Sequence, residues 1–96
     1  MIVIFHPEAE QEFLEAIDYY QTQQPGLGED FHAEILATTD RIAKSPMAWP
    51  VLEGDIRRCL AHRFPYGILY NIDEQTISIL AVMHLRRRPG YWKKRI

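Results

Sequence analysis

Residues 64–92, FPYGILYNIDEQTISILAVMHLRRRPGYW, decide the fold that we expect for this chain. Apolar side chains recur there at every second position, which is the spacing of β-strands, and the turn 73–75 separates two such strands. One face of the first strand carries Tyr66, Ile68, Tyr70 and Ile72. One face of the second strand carries Ile77, Ile79, Ala81 and Met83, and its other face carries Leu80 and Val82. Because the second strand is apolar on both faces, it is predicted to lie in the centre of a sheet.

The first half of the chain predicts a short strand and two helices. Pro7 suits the first turn of a helix, where its missing N–H does no harm, and a second helical periodicity begins at Leu27. The predicted elements are a strand at 2–5, a helix at 7–24, a helix from Leu27 to before Ser45-Pro46, a loop at 46–55 and strands from Ile56 onward. The fold class is therefore α+β, in the order β-α-α-β-β-β, with an αα-hairpin packed on one face of an antiparallel-rich sheet.

Length and composition are those of a globular protein with one domain, residues 1–96. The hydrophobic fraction of 47% and the charged fraction of 25% are ordinary, so global disorder is not expected. No charged-then-apolar leader opens the chain, and no apolar run approaches the roughly twenty residues that span a bilayer. We therefore expect a cytoplasmic protein without a membrane partner.

The net charge of −2 conceals an asymmetry between the two halves of the chain. Residues 1–55 hold eleven acids and two bases, a net −9, whereas residues 56–96 hold nine bases and two acids, a net +7. This asymmetry predicts an acidic helical flank and a basic functional face, although charges that merely segregate by element would give the same totals. The acids interpreted as the solvated face of the first helix are Glu8, Glu12, Glu15 and Asp18.

Three consecutive arginines follow the predicted central strand, and three more lie in the preceding strand region. They are Arg86, Arg87 and Arg88, with Arg57, Arg58 and Arg63 before them. An antiparallel meander can bring the two groups together, and guanidinium groups bind phosphate or carboxylate bidentately. The sequence therefore predicts one basic surface for an anionic partner, with a solubilising basic turn as the alternative.

No predicted element covers the sheet face opposite the helices, except the tail after Pro89. An exposed and partly apolar sheet face is typical of a binding site. Trp92 either packs against this face or contacts a partner. Tyr91 can pack, anchor an interface or stack on nucleic-acid bases.

Few groups in the chain are suited to catalysis. No His, Cys, Asp or Glu spacing resembles a zinc site, and no glycine-rich phosphate loop occurs, so neither a metal nor a cofactor is predicted. Cys59 is interpreted as a small buried hydrophobe. Near the arginines, only His84 and Tyr91 could carry protons in catalysis, and a lone histidine is more often a packed residue.

Several short stretches together indicate a family. They are Phe5-His6-Pro7-Glu8-Ala9, Ile17-Asp18-Tyr19-Tyr20, Leu27-Gly28 with Phe31, Ser45-Pro46, Arg57-Arg58, Phe64-Pro65-Tyr66 with Tyr70, and Val82-Met83-His84-Leu85-Arg86-Arg87 with Pro89 and Trp92. In this order, over nearly the full length, they resemble the RelE/ParE superfamily of bacterial toxins. The Phe-Pro-Tyr and His-Leu-Arg-Arg-Arg-Pro stretches are most similar to the ParE-like branch.

The resemblance implies the toxin of a type II toxin–antitoxin pair, which stabilises a plasmid or chromosome and is neutralised by a cognate antitoxin encoded next to it. ParE-like members inhibit DNA gyrase. RelE-like members cut messenger RNA in the ribosome, using strand lysines and arginines and a tyrosine near the C-terminus. Here Gly67 stands where the nuclease branch carries an arginine, and no lysine occurs between Lys44 and Lys93. Arg58, Arg87 and Tyr91 are left to occupy some of the corresponding places.

We therefore favour a gyrase inhibitor that is not an enzyme. The alternatives are a ribosome-dependent messenger RNA endoribonuclease, with His84 and Tyr91 as catalytic residues, and a degenerate, non-toxic module that binds an antitoxin. The residues assigned to target or antitoxin binding are Arg57, Arg58, Arg63, Arg86, Arg87, Arg88 and Trp92. The sequence is also compatible with a homodimer.

Overall fold

The computed structural model describes residues 1–96 and contains five strands, two α-helices and a short 3₁₀ helix. The strands are β1 (Ile2–Phe5), β2 (Val51–Glu53), β3 (Ile56–Leu60), β4 (Tyr66–Asp73) and β5 (Thr76–His84). The helices are α1 (Pro7–Gln23) and α2 (Leu27–Lys44), and the 3₁₀ helix is Lys93–Arg95. The predicted α+β class and the order of the predicted elements are confirmed. The loop predicted at 46–55 is wrong in part because it contains β2, whose three residues are all exposed and so give no buried alternation.

The helical hairpin is fixed by signals at its ends. The His6 ring caps α1 by accepting a hydrogen bond from the Glu8 N–H at 3.1 Å, and Pro7 occupies the first turn. Gly26, with φ of 89°, separates the helices. The helices then pack closely because Gly28 has no side chain: a β-carbon there would stand 2.6 Å from the Ile17 carbonyl oxygen.

The sheet has the order β1-β5-β4-β3-β2. β1 pairs with β5 in parallel, and every other pair is antiparallel. β5 is thus an interior strand, as predicted. One face of the sheet, here called the inner face, packs against both helices around Phe13, Phe31, Ile68 and Ile79.

A β-bulge in β5 changes which side chains face the helices. Leu69 pairs with Ala81 and Tyr70 pairs with Ile79, so Leu80 is an extra residue without a partner on β4. The bulge reverses the alternation after Leu80. The prediction that Ala81 and Met83 share a face with Ile79, and Val82 with Leu80, is therefore wrong: Val82 joins the helix-facing core, and Leu80, Ala81 and Met83 face the other way.

The sheet face without helices, here called the outer face, is covered at its centre by the C-terminal tail. Trp92 is 3% exposed and packs in a second cluster with Ile56, Leu69, Leu80, Ala81 and Met83. The expectation of a largely open face is therefore wrong at the centre of the sheet, because the tail itself buries those side chains. No helix in the chain combines the length and the hydropathy that crossing a bilayer would require.

Candidate functional site

Two adjoining cavities lie on the outer face between β2 and the tail. One of about 250 Å³ is lined by Trp49, Pro50, Val51, Leu52, Arg58 and Leu60. The other, of about 330 Å³, is lined by Leu52, Glu53, Arg58, Met83, Leu85, Arg87, Pro89, Gly90 and Trp92. Because they share Leu52 and Arg58, they form one depression, here called the outer groove. The lining is apolar except for two arginines and Glu53, whose carboxylate lies 3.2 Å from the Lys93 ammonium.

Arg58 extends across its diagonal neighbour on β4, Gly67, which pairs with Leu60 and has no side chain. A β-carbon at Gly67 would stand 3.1 Å from the Arg58 Cδ and 3.2 Å from its Cγ. The aliphatic part of Arg58 therefore packs on the Gly67 backbone, and no carboxylate lies within ion-pair distance of its guanidinium.

Arg87 stands at the other end of the groove on an aromatic support. Its guanidinium carbon lies 3.8 Å from the centre of the Tyr91 ring, and that of Arg95 lies 5.0 Å from the same centre. The Tyr91 hydroxyl donates to Glu12 Oε2 at 2.7 Å. The carboxylate of Glu12, on α1, thus fixes the ring on which Arg87 rests.

Glu12 and Arg95 also fill the edge of β5 that β1 leaves open beyond Ile79. The Arg95 guanidinium donates to both oxygens of Glu12 at 2.9 Å and to the Leu80 carbonyl at 3.0 Å, and the Val82 N–H donates to Glu12 Oε1 at 3.0 Å. The Arg95 and Glu12 side chains are only 9% and 13% exposed. Interpreting Glu12 as part of a solvated face is therefore wrong, because the tail brings it an arginine from 83 residues away.

The two proposed proton carriers are both engaged in local contacts. Burial, followed by the hydrogen bond to Glu12, raises the pKa of the Tyr91 phenol above its ordinary value. His84 Nδ1 accepts from the Arg86 N–H at 3.0 Å, and its ring lies edge-on to Tyr66 at 5.2 Å. Arg87 rests on the Tyr91 ring and lines both the outer groove and a cleft of about 200 Å³ beside α1 that includes His84.

The structure separates the six arginines that the sequence suggested as one surface. Arg57 pairs with Tyr70, an inner-face residue, and donates to the carbonyls of Met47 and Trp49 at 3.2 and 2.6 Å. It therefore holds the segment before β2, as does the Tyr70 hydroxyl, which donates to the Pro46 carbonyl at 2.6 Å.

Arg63 lies beside α2, where its guanidinium is 3.1 Å from the Asp30 carboxylate. Arg86 and Arg88 are exposed in the turn after β5. Only Arg58 and Arg87 line the same groove, and Trp92 forms part of its wall. No group of three or more His, Cys, Asp and Glu side chains is arranged to hold a metal ion.

Comparison with known proteins places the chain in a family. The family model described as the ParE toxin of type II toxin–antitoxin system, parDE, matches residues 3–89. The chain belongs to the ParE toxin family. It is therefore the toxin component of a type II toxin–antitoxin system.

Relatives of this ParE-family toxin include Toxin ParE2 from two strains of Mycobacterium tuberculosis, CDC 1551 / Oshkosh and ATCC 25618 / H37Rv. Each is 29% identical to it over 86 residues, which cover 88% of this chain and 82% of the relative. A solved structure described as a chromosomal ParDE TA system from P. aeruginosa has the same fold. It superposes with a TM-score of 0.75 at 16% identity and covers 88% of this chain and 95% of that one.

Three features of this ParE-family site could not be read from local sequence patterns. The aliphatic wall at Val51 and Leu52 lies in a strand too short and exposed to show alternation. Glu12 and Arg95 come from opposite ends of the chain. A signal for the ion pair did exist, since Arg95 lies three residues after Trp92, for which packing on the sheet was one predicted role.

Proposed function

We propose that this ParE-family toxin inhibits DNA gyrase by binding to it, and that a cognate antitoxin neutralises the toxin. The family match supports the toxin role, and the ParE-like stretches support gyrase as the target. Such a target lies in the cytoplasm, so we expect the toxin there. No chemical step is required of a protein that acts by binding.

The main structural support for this proposal is the hydrogen bond that the Tyr91 hydroxyl donates to the Glu12 carboxylate at 2.7 Å. Cleavage of RNA through its 2′-hydroxyl needs one group to take a proton and another to protonate the leaving oxygen. The Tyr91 proton points to a buried carboxylate, and its raised pKa opposes formation of a phenolate base. A ribonuclease would therefore have to break an internal ion network before each reaction.

The surroundings of His84 and Gly67 agree with a binding function. His84 uses Nδ1 to accept a backbone hydrogen bond, which leaves only Nε2 for a substrate. At Gly67, a larger side chain would have to displace Arg58. A second strand cation at this position, as in the nuclease branch, is thus incompatible with the present placement of Arg58.

The outer groove favours an antitoxin partner because it exposes apolar side chains and two arginines without an ion-pair partner. Val51, Leu52, Leu60 and Leu85 are 41–53% exposed, and Arg58 and Arg87 have no carboxylate partner. The P. aeruginosa structure that shares this fold is described as a ParDE TA system, which supports the same kind of partner here.

Two assays with purified protein test the target. We expect inhibition of DNA supercoiling by gyrase and no cleavage of messenger RNA on ribosomes. His84→Ala and Tyr91→Phe should change the inhibitory concentration only modestly, whereas neutralising Arg86, Arg87 or Arg88 should raise it. Lys44→Gln, which removes a charge at the end of α2, is the control.

Ribosome-dependent cleavage that falls about 10²–10⁴-fold in Tyr91→Phe would overturn the gyrase proposal in favour of a nuclease. A protein that binds its antitoxin but inhibits neither process would be a non-toxic module. In cells, induction of the gene should trigger DNA-damage signalling before translation stops.

A further inference from the structure

We infer that the open edge of β1 is a dimerisation surface, on which β1 of a second copy of this chain pairs antiparallel about a two-fold axis at Ile4. The two five-stranded sheets then join into one, with the helices of both copies on the same face. This surface is at the opposite edge of the sheet from β2 and the outer groove. The inference is independent of the target of the toxin and of its antitoxin.

The backbone of β1 has unpaired hydrogen-bonding groups along this edge. The N–H groups of Ile2 and His6 donate toward β5, to carbonyl oxygens at 2.9 and 2.8 Å. Neighbouring residues of a strand point their backbone groups in opposite directions, so the N–H and carbonyl groups of Val3 and Phe5 point away from β5. No element of the chain pairs with them. Such a row of free groups is a template for another strand.

The β1 edge lacks the features that shield the edge strands of monomeric proteins. No Asp, Glu, Lys or Arg occurs in residues 2–7, and the pairing of β1 with β5 has no irregularity. The other edge strand, β2, is three residues long, follows Pro50, ends at Glu53 and has an irregular register with β3. Because charge, proline and bulges all oppose the addition of a strand, β2 is protected and β1 is open.

One register makes this edge complementary to a copy of itself. When Val3 lies opposite Phe5 of the second copy, and the reverse, each of these two pairs exchanges both of its N–H···O bonds. Ile4 lies between them and is 53% exposed. In this register Ile4 meets its own counterpart on the two-fold axis, with the Cα atoms about 4.5 Å apart, so two exposed apolar side chains cover each other.

A cavity on the outer face accepts the remaining exposed isoleucine in the same register. Ile2 shares the outer face with Ile4, is 62% exposed, and falls opposite His6 of the second copy. His6 lines a cavity of about 420 Å³ together with Ile4, Pro7 and Ile96. Each copy therefore supplies both a protruding side chain and the apolar hollow beside which that side chain lies, as a two-fold contact requires.

The charge and the size of the edge define this partner further. An acidic peptide gains no ion pair along residues 2–7, and the first charged residue after them is Glu8. In the dimer the two copies of Glu8 lie at opposite ends of the paired strands, farther apart than the Debye length of about 8 Å. A four-residue strand is about 13 Å long, so the interface is small. We expect a reversible dimer with a dissociation constant of about 10–100 µM.

Sedimentation of the purified protein tests the dimer at concentrations from about 5 to 500 µM, which bracket that dissociation constant. Wild type should change from one chain to two across this range. Ile4→Lys places like charges opposite each other on the axis and should weaken the dimer at least about tenfold. Leu14→Lys is the matched control: it makes the same kind of change at a position of α1 that is 52% exposed, and it should dimerise like wild type.

Oxidation of cysteine variants tests the register. A Cα separation of about 4.5 Å lies in the range that a disulfide needs, so Ile4→Cys should form a cross-linked dimer. Ile2→Cys is the control, because the two copies of position 2 lie about 13 Å apart along the paired strands. Wild type should not cross-link, since its Cys59 is buried.

The inference is overturned by a wild type that stays monomeric over the whole range, or by an Ile4→Lys variant that dimerises like wild type. A dimer that dissociates in Leu60→Lys but not in Ile4→Lys would place the contact in the outer groove instead. Equal cross-linking of Ile2→Cys and Ile4→Cys would disprove the register. Thermal unfolding of each variant shows that a lost dimer is not a lost fold.

Discussion

The side chain of Arg58 occupies the space that a side chain at Gly67 would need. A β-carbon added at Gly67 would stand 3.1 Å from the Arg58 Cδ and 3.2 Å from its Cγ. Both distances are shorter than ordinary van der Waals contact. Position 67 therefore controls where the charge of Arg58 lies. The relationship links a residue without any functional group to the electrostatics of the outer groove.

Gly67→Ala should weaken antitoxin binding while leaving the stability of the fold nearly unchanged. We expect the added methyl group to move the half-buried Arg58 and to weaken antitoxin binding by up to about tenfold, or about 1.4 kcal/mol. The free energy of unfolding should stay within about 1 kcal/mol of wild type, because alanine is favoured over glycine in a strand and offsets the crowding. Titration and urea denaturation of the same samples measure both quantities.

Gly28→Ala provides the contrasting control. Its β-carbon would stand 2.6 Å from the Ile17 carbonyl oxygen and 2.8 Å from Gln21 Cβ, and a helix backbone cannot yield as an arginine side chain can. This variant should lose about 1–3 kcal/mol of stability. Equal losses of stability in the two variants would contradict the distinction drawn here.

Glu12→Ala should strongly destabilise the protein. It leaves the nearly buried Arg95 guanidinium, the Val82 N–H and the Tyr91 hydroxyl without their acceptor. Breaking one side of a buried ion pair costs about 3–5 kcal/mol. Urea denaturation should detect the loss, whereas Glu15→Ala, one turn further along the exposed face, should remain within about 0.5 kcal/mol of wild type. Similar stability of the two variants would show that the Glu12 network does not hold the tail.

Glu34 should make stability depend on pH in the acid range. Burial alone would raise the pKa of this carboxyl, but hydrogen bonds from the His62 N–H, Arg41 and Thr38 together lower it below its ordinary value of 4.5. A carboxyl with a lowered pKa stabilises the fold above its unfolded pKa, and that stability is lost as the pH falls from 4.5 through the folded value.

Glu34→Gln should therefore be less stable at neutral pH, by about 1–3 kcal/mol, and should show a flatter acid limb than wild type. Glu29→Gln, at an exposed position of the same helix, is the control. Thermal unfolding between pH 3 and 7 measures the difference. Parallel acid limbs for wild type and Glu34→Gln would refute the assignment.

Trp92→Ala should cost about 3–5 kcal/mol, since the side chain is 3% exposed in the outer cluster. Phe13→Ala and Ile79→Ala, in the helix-facing core, should cost about 2–5 kcal/mol. Circular dichroism during thermal unfolding measures each loss. A Trp92→Ala variant that unfolds like wild type but no longer binds its partner would make Trp92 a contact residue rather than a packing residue.

Local sequence patterns predicted the helices well because proline and glycine residues mark where each helix begins or ends. Pro7, the Pro25-Gly26 stop and the Ser45-Pro46 boundary placed the helices to within about one residue. Alternation predicted the last two strands, but it could not reveal the bulge at Leu80, since the extra residue is apolar like its neighbours. The sheet faces predicted for Ala81, Val82 and Met83 were consequently the reverse of those in the structure.

The candidate site was only partly predictable, because its electrostatics depend on distant pairings. Strand alternation places Arg57 and Arg58 on opposite faces, so a count of arginines overstated the basic surface. Arg63 is paired with Asp30, a residue from α2 that no periodicity links to it. The sequence did indicate where the candidate site lies. It pointed to the end of the last strand and to the tail, which contribute Arg87 and Trp92 to the groove.

The parallel pairing of β1 with β5 also governs when the sheet can be completed during synthesis of the chain. Ile2 pairs with Thr76, and the edge of β5 is completed by Arg95. Because contacts so distant in sequence form late, the helical hairpin has no complete sheet to pack against until Arg95 has left the ribosome. A nascent chain is therefore without its outer groove until Arg95 has emerged from the ribosome.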